Sequence, residues 1–180
     1  MLRKVVVIGP ESTGKSTLSQ ALSEALSCPW VPEFAREYIN QLQRPYEEED
    51  LLHIAQGQLA LEERLAEQAS DILICDTDLH VIKVWSEHRF GRVHPWVEAQ
   101  LKNRKYDLYL LTDIDIPWQH DPQREHPQPE MRKYFFDWYK KLLESAQVPY
   151  LLVSGSEEER LKKALERVHQ LHRLGKNDQE

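Results

Sequence analysis

Four short runs of consecutive apolar residues punctuate the chain: KVVVIG (4–9), DILICD (71–76), YDLYLLTD (106–113) and VPYLLVSG (148–155). Runs that are apolar at nearly every position, not at alternate ones, predict strands covered on both faces, as in a parallel sheet. PWVPEF (29–34) is a fifth, weaker candidate, and its two prolines point to an edge strand or a strand start. Helical spacing fills the intervals. Leu18, Ala21, Leu22, Ala25 and Leu26 form a stripe after Lys15, and residues 46–69 predict a long helix with an acidic first turn, Glu47 to Asp50, that suits the helix dipole. A further helix starts near Leu79. Residues 130–146 carry Met131, Tyr134, Phe135, Trp138 and Leu142 as one stripe. The last helix opens on a capping box, Ser156 with Glu159, and is expected to bury Leu161, Ala164, Leu165, Val168 and Leu171. Strands alternating with helices predict an α/β fold, a three-layer sandwich with an approximately five-stranded parallel sheet. No repeat or linker divides it, so one domain is expected over residues 1–175, with a frayed tail at 176–180.

Length and charge narrow the classes of partner. The chain has 180 residues, enough for one ordinary domain. Its formal charge of −7 argues against wrapping nucleic acid or lying on a membrane surface. No apolar run approaches the roughly 18 residues needed to span a bilayer. The first run leads straight into a motif and is read as a strand and not a leader. Cys28 and Cys75 are far apart and form no zinc or redox pattern, so a reducing, cytoplasmic setting is expected.

The chemistry enters directly after the first strand, in GPESTGKS, Gly9 to Ser16. This is G-x-x-x-x-G-K-[ST] with a strand before it and an amphipathic helix after it, the context a phosphate-binding loop requires. Gly9 and Gly14 permit turns that aim successive N–H groups at phosphate oxygens. Lys15 adds a cation near the β- and γ-phosphates, the Ser16 hydroxyl is a ligand for Mg²⁺, and the following helix presents its positive end to the anion. Gly9, Glu11, Ser12, Thr13, Gly14, Lys15, Ser16 and Thr17 are therefore the expected nucleotide contacts, with ATP and Mg²⁺ as the bound species. Such a loop needs an acid near the metal, usually at the end of another strand. CDTD supplies Asp76 and Asp78, of which Asp76 is the expected metal partner beside Ser16, directly or through water.

Residues 117–132, PWQHDPQREHPQPEMR, have neither helical nor strand periodicity and follow the YDLYLLTD strand. A loop this long in a small domain is usually functional or disordered. Its position suits a lid, at about 114–132, that closes over phosphates, and Arg124 and Arg132 are its natural phosphate contacts. Arg124 is expected to stabilise the moving phosphoryl group. His120 and His126 lack the spacing of a metal site. No Asn-Lys-x-Asp guanine reader is present, and motors and AAA+ machines usually exceed 180 residues, so a small-molecule kinase is expected. A nucleotide-gated ATPase that signals through a partner is the alternative.

GPESTGKS, VPEFAREY, CDTD and YDLYLLTDIDIPWQHDPQR resemble the ribosylnicotinamide kinase domain of the NadR type, over about Val5 to Arg132. The resemblance implies a fold like that of nucleoside-monophosphate kinases. It also implies ATP- and Mg²⁺-dependent phosphorylation of the 5′-hydroxyl of nicotinamide riboside, giving nicotinamide mononucleotide. The nucleotidyltransferase and DNA-binding activities of larger members are not expected in 180 residues. On the acceptor side, Glu33 and Arg36 follow the PWVPEF run. Glu33 could orient the ribose or take the hydroxyl proton, with Asp78 a rival for both tasks. Trp118 could stack on a flat cationic ring, and Trp85 and Trp96 are weaker candidates for the same contact. The few arginines of AREY favour an acceptor without a phosphate of its own.

Overall fold

The computed structural model describes residues 2–177, with side chains through Leu171. Five strands, β1 (Arg3–Ile8), β2 (Trp30–Val31), β3 (Ile72–Asp76), β4 (Leu108–Thr112) and β5 (Tyr150–Val153), form one sheet in the order β2-β3-β1-β4-β5. Every pairing is parallel. In the central strand, Val5, Val6, Val7 and Ile8 are all fully buried, and all five residues of β4 are buried. Each such side chain contributes about 1.5–3 kcal/mol by leaving water, which is why unbroken apolar runs settle in the middle of this sheet.

The two faces take different helices. Val5 and Val7 pack with Leu18 and Leu22 of α1 (Lys15–Leu26) and with Ala164 and Val168 of α7 (Glu157–Asn177). Val6 and Ile8 pack with Val84 of α4 (Leu79–Phe90) and with Tyr139 and Leu143 of α6 (Pro129–Ser145). A third cluster, with Ala35, Leu51, Ile54, Leu79, Ile82 and Val97, joins α2 (Phe34–Gln41), α3 (Glu48–Ala66), α4 and α5 (Pro95–Asn103). Neighbouring strands β1 and β4 therefore send their following helices to opposite faces. Their carboxyl ends open a crevice there, the place where open α/β sheets bind ligands.

The strand and helix pattern is borne out with local corrections. The PWVPEF run yields only two paired residues at a sheet edge, because Pro29 and Pro32 flank Trp30–Val31 and cannot donate to a ladder. Two short helices, α2 and α5, were not expected. The second begins where His94 Nδ1 accepts from Trp96 N and Pro95 takes the first helical position, which needs no N–H donor. On α6 the buried positions are Arg132, Tyr139 and Leu143, while Tyr134 is 49% exposed, so the inward face lies about a residue away from the expected stripe. The capping box of α7 is present: Glu159 Oε2 accepts from Ser156 N at 2.8 Å, and Ser156 Oγ accepts from Glu159 N at 3.3 Å. The tail expected to fray, 176–180, is helical through Asn177, and 178–180 lie outside the described residues.

Candidate nucleotide and acceptor site

The phosphate loop runs from the end of β1 to the start of α1. Gly14 holds a left-handed conformation (φ 77) as the residue preceding the helix, and Ser12 does so without being glycine (φ 56). Gly9 is required for space, because a Cβ there would overlap Thr112 Oγ1 at the end of β4. Thr13 faces inward and ties the loop to the sheet: its Oγ1 donates to Pro10 O at 2.8 Å and lies 2.7 Å from Thr112 Oγ1. Lys15 Nζ donates to Pro10 O at 2.8 Å, folded back over the loop.

A buried arginine that the sequence did not flag supports the loop from beneath. Arg160 of α7 is 3% exposed. It donates to Thr13 O at 2.7 Å, Gly155 O at 2.9 Å and Asp113 O at 3.2 Å, and it pairs with Asp115. The contact with Thr13 O joins the phosphate loop to α7. The only local sequence signal was an arginine one turn into an amphipathic helix, which by pattern alone is a surface residue.

Asp76, at the end of β3, accepts from Ser16 Oγ at 2.5 Å through Oδ2, while its Oδ1 is buried without a hydrogen-bond partner. Burial, and then the nearby Glu33 charge, push its carboxyl up to about 6 against the opposing influences of Ser16, Lys15 and Arg36. An unpartnered carboxylate oxygen beside a serine hydroxyl is a hard-oxygen donor set that fits Mg²⁺, which takes one or two protein oxygens and completes its shell with phosphate and water. Among the described residues no cluster of three or more His, Cys, Asp or Glu could hold a metal by itself. The fit is thus to a metal that arrives with a nucleotide.

Asp78 belongs to the fold and not to the crevice. It is buried, it does not line the cavity, and it caps α4: Oδ1 accepts from His80 N at 3.0 Å. Oδ2 lies 2.7 Å from His80 Nδ1 and accepts from Tyr109 OH at 2.8 Å. With these partners inside the protein it is not placed to read a ribose, and the expected substrate role is withdrawn. Glu33, which precedes α2, lines the cavity, and its carboxylate makes no hydrogen bond or ion pair among the described residues.

The segment between Thr112 and Pro129 contains no helix or strand and folds over the loop. Arg124 Nη1 donates to Gln119 O at 2.6 Å and to Ser12 Oγ at 3.2 Å. Arg132 lies outside this segment, in the first turn of α6, and donates to Ser12 O at 3.2 Å and Ile116 O at 3.0 Å. Both bonds use Nη2 and support the loop, while Nε is buried without a hydrogen-bond partner and the residue lines the cavity. Arg36 of α2 pairs with Asp121 at 2.7 Å, and Gln123 Nε2 donates to Arg36 O and Asn40 Oδ1, so the segment is tied to α2 as well. Trp118 borders the cavity with its ring 6.0 Å from the Arg132 guanidinium.

The phosphate loop, the segment between Thr112 and Pro129, α2, α4 and α6 line a cavity of about 450 Å³. Gly9 through Thr17 all line it, as do Glu33, Arg36, Trp118 and Arg124; Asp76 sits behind Ser16 and does not. The far wall is aromatic and was largely missed in sequence. Trp85 Nε1 donates to Tyr46 OH at 2.7 Å, their rings meeting edge to face at 4.8 Å, and Phe135 and Tyr139 continue the wall. Trp96 instead packs among the helices of the third cluster. Five arginines line the cavity: 36, 44, 89, 124 and 132. The cavity as a whole thus holds more arginines than the AREY segment by itself offers. Four of the five are already bonded within the protein, Arg44 to Asp50 by two contacts of 2.7 and 2.9 Å. The Arg89 guanidinium has no hydrogen bond or ion pair among the described residues.

A family model described as an AAA domain matches residues 4–160. The length argument against an AAA+ machine is thus no argument against the family, whose model covers the P-loop domain. The trifunctional NAD biosynthesis/regulator protein NadR of Escherichia coli (strain K12) is 27% identical over 158 residues, covering 84% of this chain and 38% of that protein. The chain thus spans well under half the length of that relative. Two crystal structures of NadR protein, one with NAD and AMP-PNP and one with NR, superpose with TM-scores of 0.75 and 0.77 at 24% identity, covering 94% of this chain and 49% of theirs. Thymidylate kinase from Ehrlichia chaffeensis superposes at 0.65 with 14% identity, covering 92% of this chain and 98% of that one. With the family model covering most of its length, the chain belongs to the AAA domain family, and over that P-loop domain it is similar to NadR.

Proposed function

We propose that the protein is an ATP- and Mg²⁺-dependent kinase that phosphorylates the 5′-hydroxyl of nicotinamide riboside, giving nicotinamide mononucleotide and ADP. One observation carries the reading: the phosphate loop opens into a lidded cavity of about 450 Å³, with an aromatic wall and an uncommitted carboxylate, Glu33, at its edge. That volume suits a nucleoside. Tyr46 and Trp85 offer π faces to a cationic pyridinium ring, and Trp118 offers another nearer the lid. The NadR relatives, one of them with NR bound, support this acceptor over others.

In this reading the loop amides and Lys15, released from Pro10 O, hold the ATP phosphates. Ser16 and Asp76 would hold Mg²⁺, which when bound neutralises charge between the β- and γ-phosphates. The 5′-oxygen attacks the γ-phosphorus as the bond to the β-bridging oxygen breaks, and Glu33 orients the hydroxyl and takes its proton. Arg124 exchanges its contacts with Ser12 and Gln119 for the equatorial oxygens of the transferring group. Arg36 reaches the acceptor if it leaves Asp121. Two free cysteines, and no helix among the described residues long and apolar enough to cross a membrane, are compatible with a cytoplasmic setting.

The test is ADP release with ATP and Mg²⁺ across nicotinamide riboside, adenosine, thymidine and nucleoside monophosphates, with products identified by mass. Nicotinamide riboside should be the best acceptor. A preferred monophosphate, which the cavity arginines could serve, would overturn the substrate. ADP release that no acceptor stimulates would favour a nucleotide-gated ATPase acting through a partner.

A further inference from the structure

Glu11 is an odd residue for a phosphate-binding loop. It puts a carboxylate two residues after the first glycine of a site built for several negative charges, where like charges repel. Its side chain is turned to another use: Oε2 accepts from Glu125 N at 3.0 Å and from His126 N at 3.3 Å, consecutive amides of the lid. The preceding residues form a turn in which Arg124 N donates to Asp121 O at 3.0 Å and Gln123 N to Asp121 Oδ1 at 2.9 Å. Arg124 therefore sits between two anchored pieces of backbone, one tied to α2 through Arg36 and one tied to the nucleotide loop through Glu11. Only the second belongs to the element that carries the phosphates, so it fixes the origin of the Arg124 side chain relative to the donor. Ser12 Oγ, the next residue along, already receives Gln119 N at 2.8 Å and the guanidinium itself.

We propose that Glu11 is a positioning residue: by holding the Glu125 and His126 amides it sets Arg124 at the distance from the phosphate loop that phosphoryl transfer requires. This rests on the kinase reading above. A carboxylate oxygen accepting two backbone N–H groups is strong and directional, and misplacing a transition-state contact by about 1 Å can cost on the order of a hundredfold in rate.

Steady-state kinetics of Glu11→Ala, Glu11→Gln, Arg124→Ala and Glu11→Ala/Arg124→Ala separate this role from others. Glu11→Ala should lower kcat about tenfold with the KM for ATP changed less than about threefold. Glu11→Gln should retain most of the rate, because an amide oxygen accepts from the same N–H groups. In the Arg124→Ala background the Glu11→Ala loss should shrink below about twofold, since residues acting through one group are not additive. A full tenfold loss in that background, or a glutamine variant as slow as alanine, would overturn the proposal and point to direct charge or proton chemistry by Glu11. Hydrogen exchange in the unliganded protein gives a second readout that needs no turnover. The Glu125 and His126 amides should exchange at least about tenfold faster in Glu11→Ala, and unchanged exchange would refute the contact. If wild type transfers phosphate to no acceptor, the kinase reading fails and the exchange measurement alone decides the lid contact.

Discussion

Replacing Asp76 by Asn should remove a pH dependence of stability that runs opposite to that of most carboxylates. Asp76 is 1% exposed and its carboxyl titrates near 6, raised from 3.8 chiefly by burial and then by the Glu33 charge. Because the folded value lies above the unfolded one, the folded chain holds more proton between those limits. Stability contributed by this group is present below about pH 4 and is lost as pH rises through about 6. At about 1.36 kcal/mol per pH unit, moving from 3.8 to about 6 corresponds to about 3 kcal/mol. Asn keeps the acceptor for Ser16 Oγ and cannot ionise. Its amide N–H takes the place of the unpartnered Oδ1, at a cost that is the same at every pH. The stability gap between Asp76→Asn and wild type should therefore shift in favour of the variant by about 3 kcal/mol between about pH 3 and pH 7.5. In a domain of this size that corresponds to a relative rise in melting temperature of roughly 6–12 °C. Urea unfolding at a series of pH values, both proteins without nucleotide, reads it directly. Adding Mg²⁺ with ADP at pH 7.5 should stabilise wild type more than the variant, which lacks the charge that answers the metal. Parallel stability curves across the pH range would refute the assignment of Asp76 as a carboxyl kept at a cost for the metal.

Arg124→Ala should lower kcat at least about tenfold with little change in the KM for ATP, because a group that meets charge only in the transition state contributes there and not to ground-state binding; an unchanged kcat would leave the lid a surface loop. Asp78→Ala should destabilise the fold by about 2–4 kcal/mol in denaturant titration, since it strips a partner from buried Tyr109 and from half-buried His80 and removes the α4 cap. A folded, fully stable Asp78→Ala protein that has lost only acceptor binding would restore the role withdrawn from that residue.

Local order along the chain settled much of this protein before any contact was formed. Unbroken apolar runs at 4–9, 71–76 and 106–113 can be satisfied only by burial on both faces, so they became β1, β3 and β4 at the sheet centre. The phosphate loop is legible for the same reason: its function is performed by its own backbone, and glycine spacing is what shapes that backbone. Distance and partnership are another matter, because they join residues remote in sequence. CDTD offers Asp76 for the metal but leaves the role of Asp78 open; the two diverge because one meets Ser16 with an oxygen left over, while the other meets Tyr109, 31 residues away, and His80. Arg160 reads as an ordinary helix-surface cation and Arg132 as a phosphate contact of the loop, yet folding brings them to the carbonyls of Thr13 and Ser12, 147 and 120 residues distant. The aromatic wall joins Tyr46 to Trp85 across 39 residues. Composition and spacing specify which backbone shapes and buried faces are possible, whereas a side chain's role is set by which other charges and hydrogen-bonding groups share its small volume, and only the closed tertiary fold decides that.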